Sequence, residues 1–135
     1  MNTVLLVEDE PFNQTVLEDI FEFDEIPAEL VCVESGEEAI EKVVELKPIL
    51  ILMDIGLPGI DGLETTRRIK ANPETADIPI WALTAHAMKG DAHKAIDAGC
   101  ASYLTKPVDG KDISDHLREF LTELTVSEEE SWISC

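Results

Sequence analysis

Four charged side chains and one hydroxyl stand at the ends of short apolar runs in this 135-residue chain. Glu8 and Asp9 follow the run at 3–7, Asp54 follows 49–53, Thr84 follows 80–83, and Lys106 lies just past 101–104. Three carboxylates brought together repel one another, so such a cluster demands a cation or a shared proton. A hard divalent ion meets that demand, and magnesium suits it best, because it binds through one or two carboxylates and leaves positions open for phosphate oxygens. An ammonium and a hydroxyl beside the same carboxylate would stabilise the spread negative charge of a phosphoryl group in transit. The chemistry these residue types support is phosphoryl transfer to an aspartate oxygen.

The elements that must position them alternate in type. Runs rich in aliphatic and β-branched residues at 3–7, 29–33, 49–53, 80–83 and 101–104 predict five strands. The run at 49–53 is apolar at every position, as in a central parallel strand covered on both faces. Between the runs, Phe12, Val16, Leu17, Ile20 and Phe21 recur at helical spacing behind Pro11, a proline placed where a first helical turn tolerates it. Ser35 and Glu38 form an S-x-x-E start for a second helix that runs to about Leu46, before Pro48. Further helices are predicted over 63–71 after the turn residues Pro58, Gly59, Asp61 and Gly62, over 88–98 closed by Gly99, and over 112–124 behind Asp109. Strict alternation with short connections and right-handed crossovers implies an α/β, doubly wound, three-layer domain. Ligands of such sheets bind beyond the carboxyl ends of the strands, where the order reverses, so the five polar residues should converge on one rim. Residues 125–135 show no helical period and read as an acidic, disordered tail outside a domain of residues 1–124.

Ten Lys plus Arg against 29 Asp plus Glu give a net charge of −19, which repels nucleic-acid phosphates and anionic lipid headgroups. Nucleic acid and bare membrane are therefore poor partners. With 44% hydrophobic residues the chain can still bury a core. Cys32, Cys100 and Cys135 form an odd set without metal spacing, and the apolar run at the N-terminus is too short for a signal core. A cytoplasmic protein is expected.

The stretches VLLVEDE, ILMDIGLPGIDG, IWALTA and SYLTKP, in this order and spacing, resemble the receiver domain of two-component response regulators over residues 3 to about 124. The likeness is to stand-alone regulators of the chemotaxis and cell-division type, and LTAHAMKGD is similar to receivers attached to hybrid histidine kinases. The expected fold is the flavodoxin-like five-stranded parallel sheet of order 2-1-3-4-5 with five helices. The resemblance implies that Asp54 takes a phosphoryl group from a phosphohistidine on a histidine kinase or histidine phosphotransfer protein. Asp9 then matches the principal acidic ligand of Mg2+, Glu8 acts through water, and the backbone carbonyl of Gly56 completes the protein's share of the metal shell. Thr84 and Lys106 match the residues that contact the phosphoryl group, Pro107 would follow a cis peptide bond, and Tyr103 matches an aromatic switch that turns inward when Thr84 moves. A downstream protein would dock on helix four, strand five and helix five, about residues 88–124, while helix one and its loop, about 12–24, would meet the histidine partner.

Plainer readings stand beside these. Glu8 and Asp9 also favour the positive end of helix one, Tyr103 could be a half-buried strand residue, and His86 reads as a solvated surface histidine. Trp81, larger than the aliphatic residue usual in that strand, should fill core volume against a helix. A magnesium-dependent phosphatase of the haloacid dehalogenase type also uses a strand-end aspartate, but it needs a second aspartate where this chain has Gly56. A receiver that only binds, without phosphorylation, is opposed by the presence of Asp9, Asp54, Thr84 and Lys106 together. With no room for an output fold after Leu124, the chain is expected to signal through protein contacts.

Overall fold

The computed structural model describes residues 2–85 and 90–133, with side chains described as far as residue 124. Five strands and five helices alternate: β1 Thr3–Val7, α1 Pro11–Phe23, β2 Glu29–Val33, α2 Gly36–Leu46, β3 Leu50–Asp54, α3 Gly62–Ala71, β4 Ile80–Thr84, α4 Asp91–Ala98, β5 Ser102–Thr105 and α5 Gly110–Ile133. All strand pairs are parallel and the order is β2-β1-β3-β4-β5, so the direction of winding reverses between β1 and β3. This is the α/β, doubly wound domain expected from the alternation, with the flavodoxin-like strand order that the resemblance implies.

Side chains leave successive strand positions on opposite faces, which divides the core in two. Val4, Leu6, Leu50, Leu52, Trp81, Leu83 and Leu104 pack with Leu17 and Phe21 of α1 and with Ile113, Leu117 and Leu121 of α5. Leu5, Val7, Ile51, Met53, Ile80 and Ala82 pack with Ala39 and Val43 of α2, Ile69 of α3 and Ala95 of α4. β3 is buried at all five positions, the property its unbroken apolar run encodes.

The helix ends follow their local chemistry. Ser35 caps α2 by accepting the Glu38 backbone N–H at 3.2 Å, while the Glu38 carboxylate turns to the Ser35 hydroxyl at 3.5 Å. Asp61 caps α3 through the Glu64 N–H at 2.9 Å, and Asp109 accepts from the N–H groups of Lys111 and Asp112 ahead of α5. Gly99 closes α4 at φ 119°, a conformation that favours glycine.

Three differences from the sequence reading have physical causes. α5 continues to Ile133 instead of ending at Leu124, because no Gly or Pro interrupts 111–135 and the Glu128–Glu130 run has good helix propensity even where apolar period is lost. An irregular tail is thus replaced by helix up to residue 133. Phe12, counted with the apolar face of α1, is 76% exposed, because its position turns away from the sheet while Leu17 and Phe21 are buried. α4 begins at Asp91, and the expected start at Met88 lies outside the described residues, as does His86. Trp81 is buried and meets the rings of Phe120 and His116 edge-on at 5.6 and 6.3 Å, filling core volume against α5. Cys32 and Cys100 are free thiols, with burial pushing Cys32 up to about 11.

Candidate functional site

The ends of β1 and β3 flank the reversal of strand order, and each delivers carboxylates there. Glu8 leaves β1 with its N–H on the Val33 carbonyl at 3.0 Å, which turns its side chain inward to 1% exposure. Asp54 is the last residue of β3, and its Oδ1 accepts the Gly56 N–H at 2.9 Å, which orients the carboxylate and shapes the turn behind it. Glu8, Asp9 and Asp54 each place a carboxylate oxygen within 4.8 Å of the others.

Lys106 approaches from the far edge of the sheet. Its backbone N–H bonds the Thr84 carbonyl at 2.8 Å, and the following Lys106–Pro107 peptide is cis. The ammonium lies 3.1 Å from Asp54 Oδ2 and 3.2 Å from Glu8 Oε2. Burial is the largest influence on Glu8; with the neighbouring Asp54 carboxylate it pushes the Glu8 carboxyl up to about 7, against the pull of Asn13 and Lys106.

Lys106 stands between two cavities. On one side is an open cleft of about 290 Å³ lined by Asp9, Asp54, Gly56, Thr84, Asp91 and Lys106. On the other is an apolar cavity of about 250 Å³ walled by Leu6, Val16, Leu83 and Val108, with Glu8 and Lys106 at its polar end. Thr84 is buried, with its hydroxyl 3.4 Å from Asp91 Oδ2 on the first residue of α4. Tyr103, paired in register with Ala82, is 44% exposed and does not line the cleft. A Cβ added to Gly56 would sit 3.7 Å from Asp54 Oδ1, so that side of the carboxylate is uncovered.

The structure thus brings Glu8, Asp9, Asp54, Gly56, Thr84 and Lys106 together and leaves Tyr103 outside. Three supporting residues were not foreseen. Asn13 donates to Glu8 Oε1 at 2.5 Å and Gln14 donates to the Glu8 carbonyl at 2.6 Å, so the first turns of α1 fix the inward carboxylate. Their position one turn past an acidic pair, behind a helix-starting proline, was the available signal. Asp91 is the third, reached only because α4 packs its first residue over the end of β4.

The donor set fits a hard divalent cation: carboxylate oxygens converge in a small volume, and among the described residues Lys106 is the one cationic side chain lining their cleft. A strand-end carboxylate cluster with a lysine and a buried threonine, at the reversal point of a 2-1-3-4-5 sheet, defines an α/β domain built to handle phosphoryl groups. The chain belongs to the response regulator receiver domain family, whose pattern matches residues 4–118. It is a response regulator receiver domain, a signalling protein of two-component systems that accepts phosphoryl groups.

Among relatives, the polar-differentiation response regulator DivK of Brucella ovis is 37% identical over 119 residues, spanning 88% of this chain and 95% of that protein. The receiver domain of the sensor histidine kinase PA1611 from Pseudomonas aeruginosa PAO1, solved with a magnesium ion in its active-site cleft, superposes with a TM-score of 0.81 at 35% identity, covering 90% of this chain and 98% of that one. A chain in the co-crystal structure of the Saccharomyces cerevisiae histidine phosphotransfer protein Ypd1 with the receiver domain of Ssk1 gives 0.77 at 31% identity, covering 88% of each. Among the described residues no helix is long and apolar enough to cross a membrane.

Proposed function

We propose that Asp54 is the phosphoacceptor, taking the phosphoryl group from a phosphohistidine of a histidine kinase or histidine phosphotransfer protein. The observation that carries this is the Lys106 ammonium 3.1 Å from Asp54 Oδ2 on an open cleft. An Asp54 oxygen forms the new P–O bond while the P–N bond of the donor breaks and its electron pair returns to the imidazole. Gly56 N–H holds the other Asp54 oxygen in place during attack. Lys106 draws charge from the incoming phosphoryl oxygens, and the Thr84 hydroxyl, near the same cleft, donates to one of them. Asp9, Asp54 and the Gly56 carbonyl would hold Mg2+, with Glu8 acting through water; bound there, the ion neutralises carboxylate and phosphoryl charge.

The domain's own chemistry is confined to forming and losing this aspartyl phosphate, in the cytoplasm, and it does not turn over an external substrate. The aspartyl phosphate adds charge and strong acceptors that pull Thr84 and Lys106 inward. Tyr103, half exposed on β5, is then free to turn toward the space Thr84 vacates. The surface of α4, β5 and α5 changes with it and meets a downstream protein. Incubation with acetyl phosphate and Mg2+ should add one phosphoryl group to wild type by intact mass spectrometry and none to Asp54→Ala. Equal labelling of the variant overturns the assignment.

A further inference from the structure

The apolar cavity behind Lys106 has no part in the phosphoryl chemistry of the cleft. Its floor is formed by Leu6, Leu17 and Leu83, each at most 2% exposed, and its sides by Val16 of α1 and by Pro107 and Val108 ahead of α5. Among the described residues the two spaces share only the Lys106 side chain, which forms the wall between them. Phe12 stands at the rim, largely exposed, so the space opens to solvent on one side. An apolar cavity of about 150 Å³ is enough for benzene, so about 250 Å³ takes a ring with a short side chain, about ten non-hydrogen atoms. A concave apolar site with a few convergent polar groups is the usual form of a small-molecule pocket.

The polar end of the cavity carries an excess of negative charge. Glu8 is buried there, held by Asn13 Nδ2 at 2.5 Å and by the Lys106 ammonium at 3.2 Å. That ammonium is also shared with Asp54 at 3.1 Å, and Asp9 places a carboxylate oxygen within 4.8 Å of both other acids. One cation therefore faces three carboxylates. A second cation entering from the apolar side is attracted to the excess, and an anion is repelled. A primary ammonium has three N–H donors and can bond Glu8 beside Lys106, a charge-assisted hydrogen bond in a site with little water.

We propose that this cavity binds a small primary amine with an apolar body of about seven to nine carbons. The ammonium donates to Glu8, and the body lies against Leu6, Val16, Leu83 and Val108. Burial of the body supplies most of the affinity, and the head selects an amine over an alcohol or an acid of the same size. A bound amine shares Glu8 with Lys106 and so adds a cation directly behind the reactive cleft. The proposal holds whichever residue accepts the phosphoryl group.

The test titrates the full chain, in chelator, with phenethylamine and follows the Leu and Val methyl signals by NMR. Phenethylamine should bind with a Kd of about 1 mM or tighter. It should bind at least about tenfold more tightly than phenethyl alcohol, its neutral analogue. Phenylacetate, with the opposite charge, and ethylamine, with the head but no ring, should bind more weakly still. The shifts should centre on Leu6, Val16, Leu83 and Val108. Val16→Phe and Val108→Phe fill the cavity from two walls without changing the net charge. Each should weaken the amine at least about tenfold while acetyl phosphate with Mg2+ still labels Asp54. Glu8→Gln should bring amine and alcohol to within about threefold of each other. Equal affinity of amine and alcohol for wild type, or no amine binding at millimolar concentration, overturns the proposal. So does amine binding that survives both filled variants. Wild-type shifts centred away from the cavity overturn it as well, whether or not the filled variants fold.

Discussion

Lys106 Nζ lies 3.2 Å from Glu8 Oε2, a contact between residues 98 apart in sequence that joins the first strand's exit to the last loop of the sheet. Glu8 is 1% exposed at its side chain and Lys106 20%, so the carboxylate has little water to fall back on. Removing one member of a buried pair costs about 3–5 kcal/mol because the other charge is left uncompensated. Partial exposure of Lys106 moves the expectation for Lys106→Met to the lower end, about 2–3 kcal/mol. Urea denaturation in chelator should show that loss, and millimolar magnesium should recover part of it. An unchanged midpoint in chelator would mean that the ammonium contributes no net stability.

The same carboxyl gives the fold a pH dependence of unusual sign. Glu8 ordinarily titrates at 4.5 and is pushed up to about 7 here, first by burial and then by Asp54. Between those values the native protein holds a proton that the unfolded chain has released, so stability falls as pH rises through the window. At about 1.4 kcal/mol per unit the full span is on the order of 3 kcal/mol. Metal-free protein should therefore lose thermal stability from about pH 4.5 to pH 7 more steeply than Glu8→Gln, in which that slope is absent. Magnesium competes with the proton, so its affinity should rise over the same interval. Parallel pH profiles for wild type and Glu8→Gln would contradict this.

Trp81 offers a stability test deeper in the core layer that also walls the Glu8 cavity. Its ring is buried edge-on against Phe120 and His116, so truncation leaves a large cavity between β4 and α5. Trp81→Ala is expected to cost about 3–5 kcal/mol. Phe120→Ala, in a Trp132→Phe background with a single remaining indole, should shift the Trp81 emission maximum to the red. An unshifted spectrum would show that Phe120 does not shield the indole.

These contacts mark where the sequence was readable and where it was not. Local chemistry carried far: the apolar run at β3 implied a strand buried on both faces, and Ser35 announced the start of α2. The residues at strand ends were also legible, because a parallel sheet sends all its carboxyl ends to one rim. Asn13 and Gln14 were missed because their partner, Glu8, is chosen by the angle at which α1 leaves the rim, and periodicity does not report that angle. The exposure of Phe12 was missed for a related reason, since helical spacing defines a stripe but not which edge of it the sheet covers. α5 outran its apolar period because propensity and the absence of breakers sustain a helix after core contacts end.

Gly62 is a site requirement hidden in what reads as an ordinary turn. It starts α3 directly beneath the exit of β3, with its N–H on the Ile55 carbonyl at 3.1 Å. A Cβ there would lie 2.2 Å from the Asp54 carbonyl oxygen and 2.7 Å from Ile55 Cα, both backbone atoms. Neither can give way without moving the segment that aims the Asp54 carboxylate. At Gly56 the corresponding Cβ makes only an ordinary contact, 3.7 Å from Asp54 Oδ1. Gly62→Ala should therefore destabilise by about 1–3 kcal/mol, as overpacking does. It should also slow acetyl phosphate labelling of Asp54 under conditions where the variant remains folded. Gly56→Ala, two residues from the carboxylate, should change stability by less than about 1 kcal/mol. If the two alanine variants have matching denaturation midpoints, the close approach of α3 to the end of β3 does not constrain the acceptor strand.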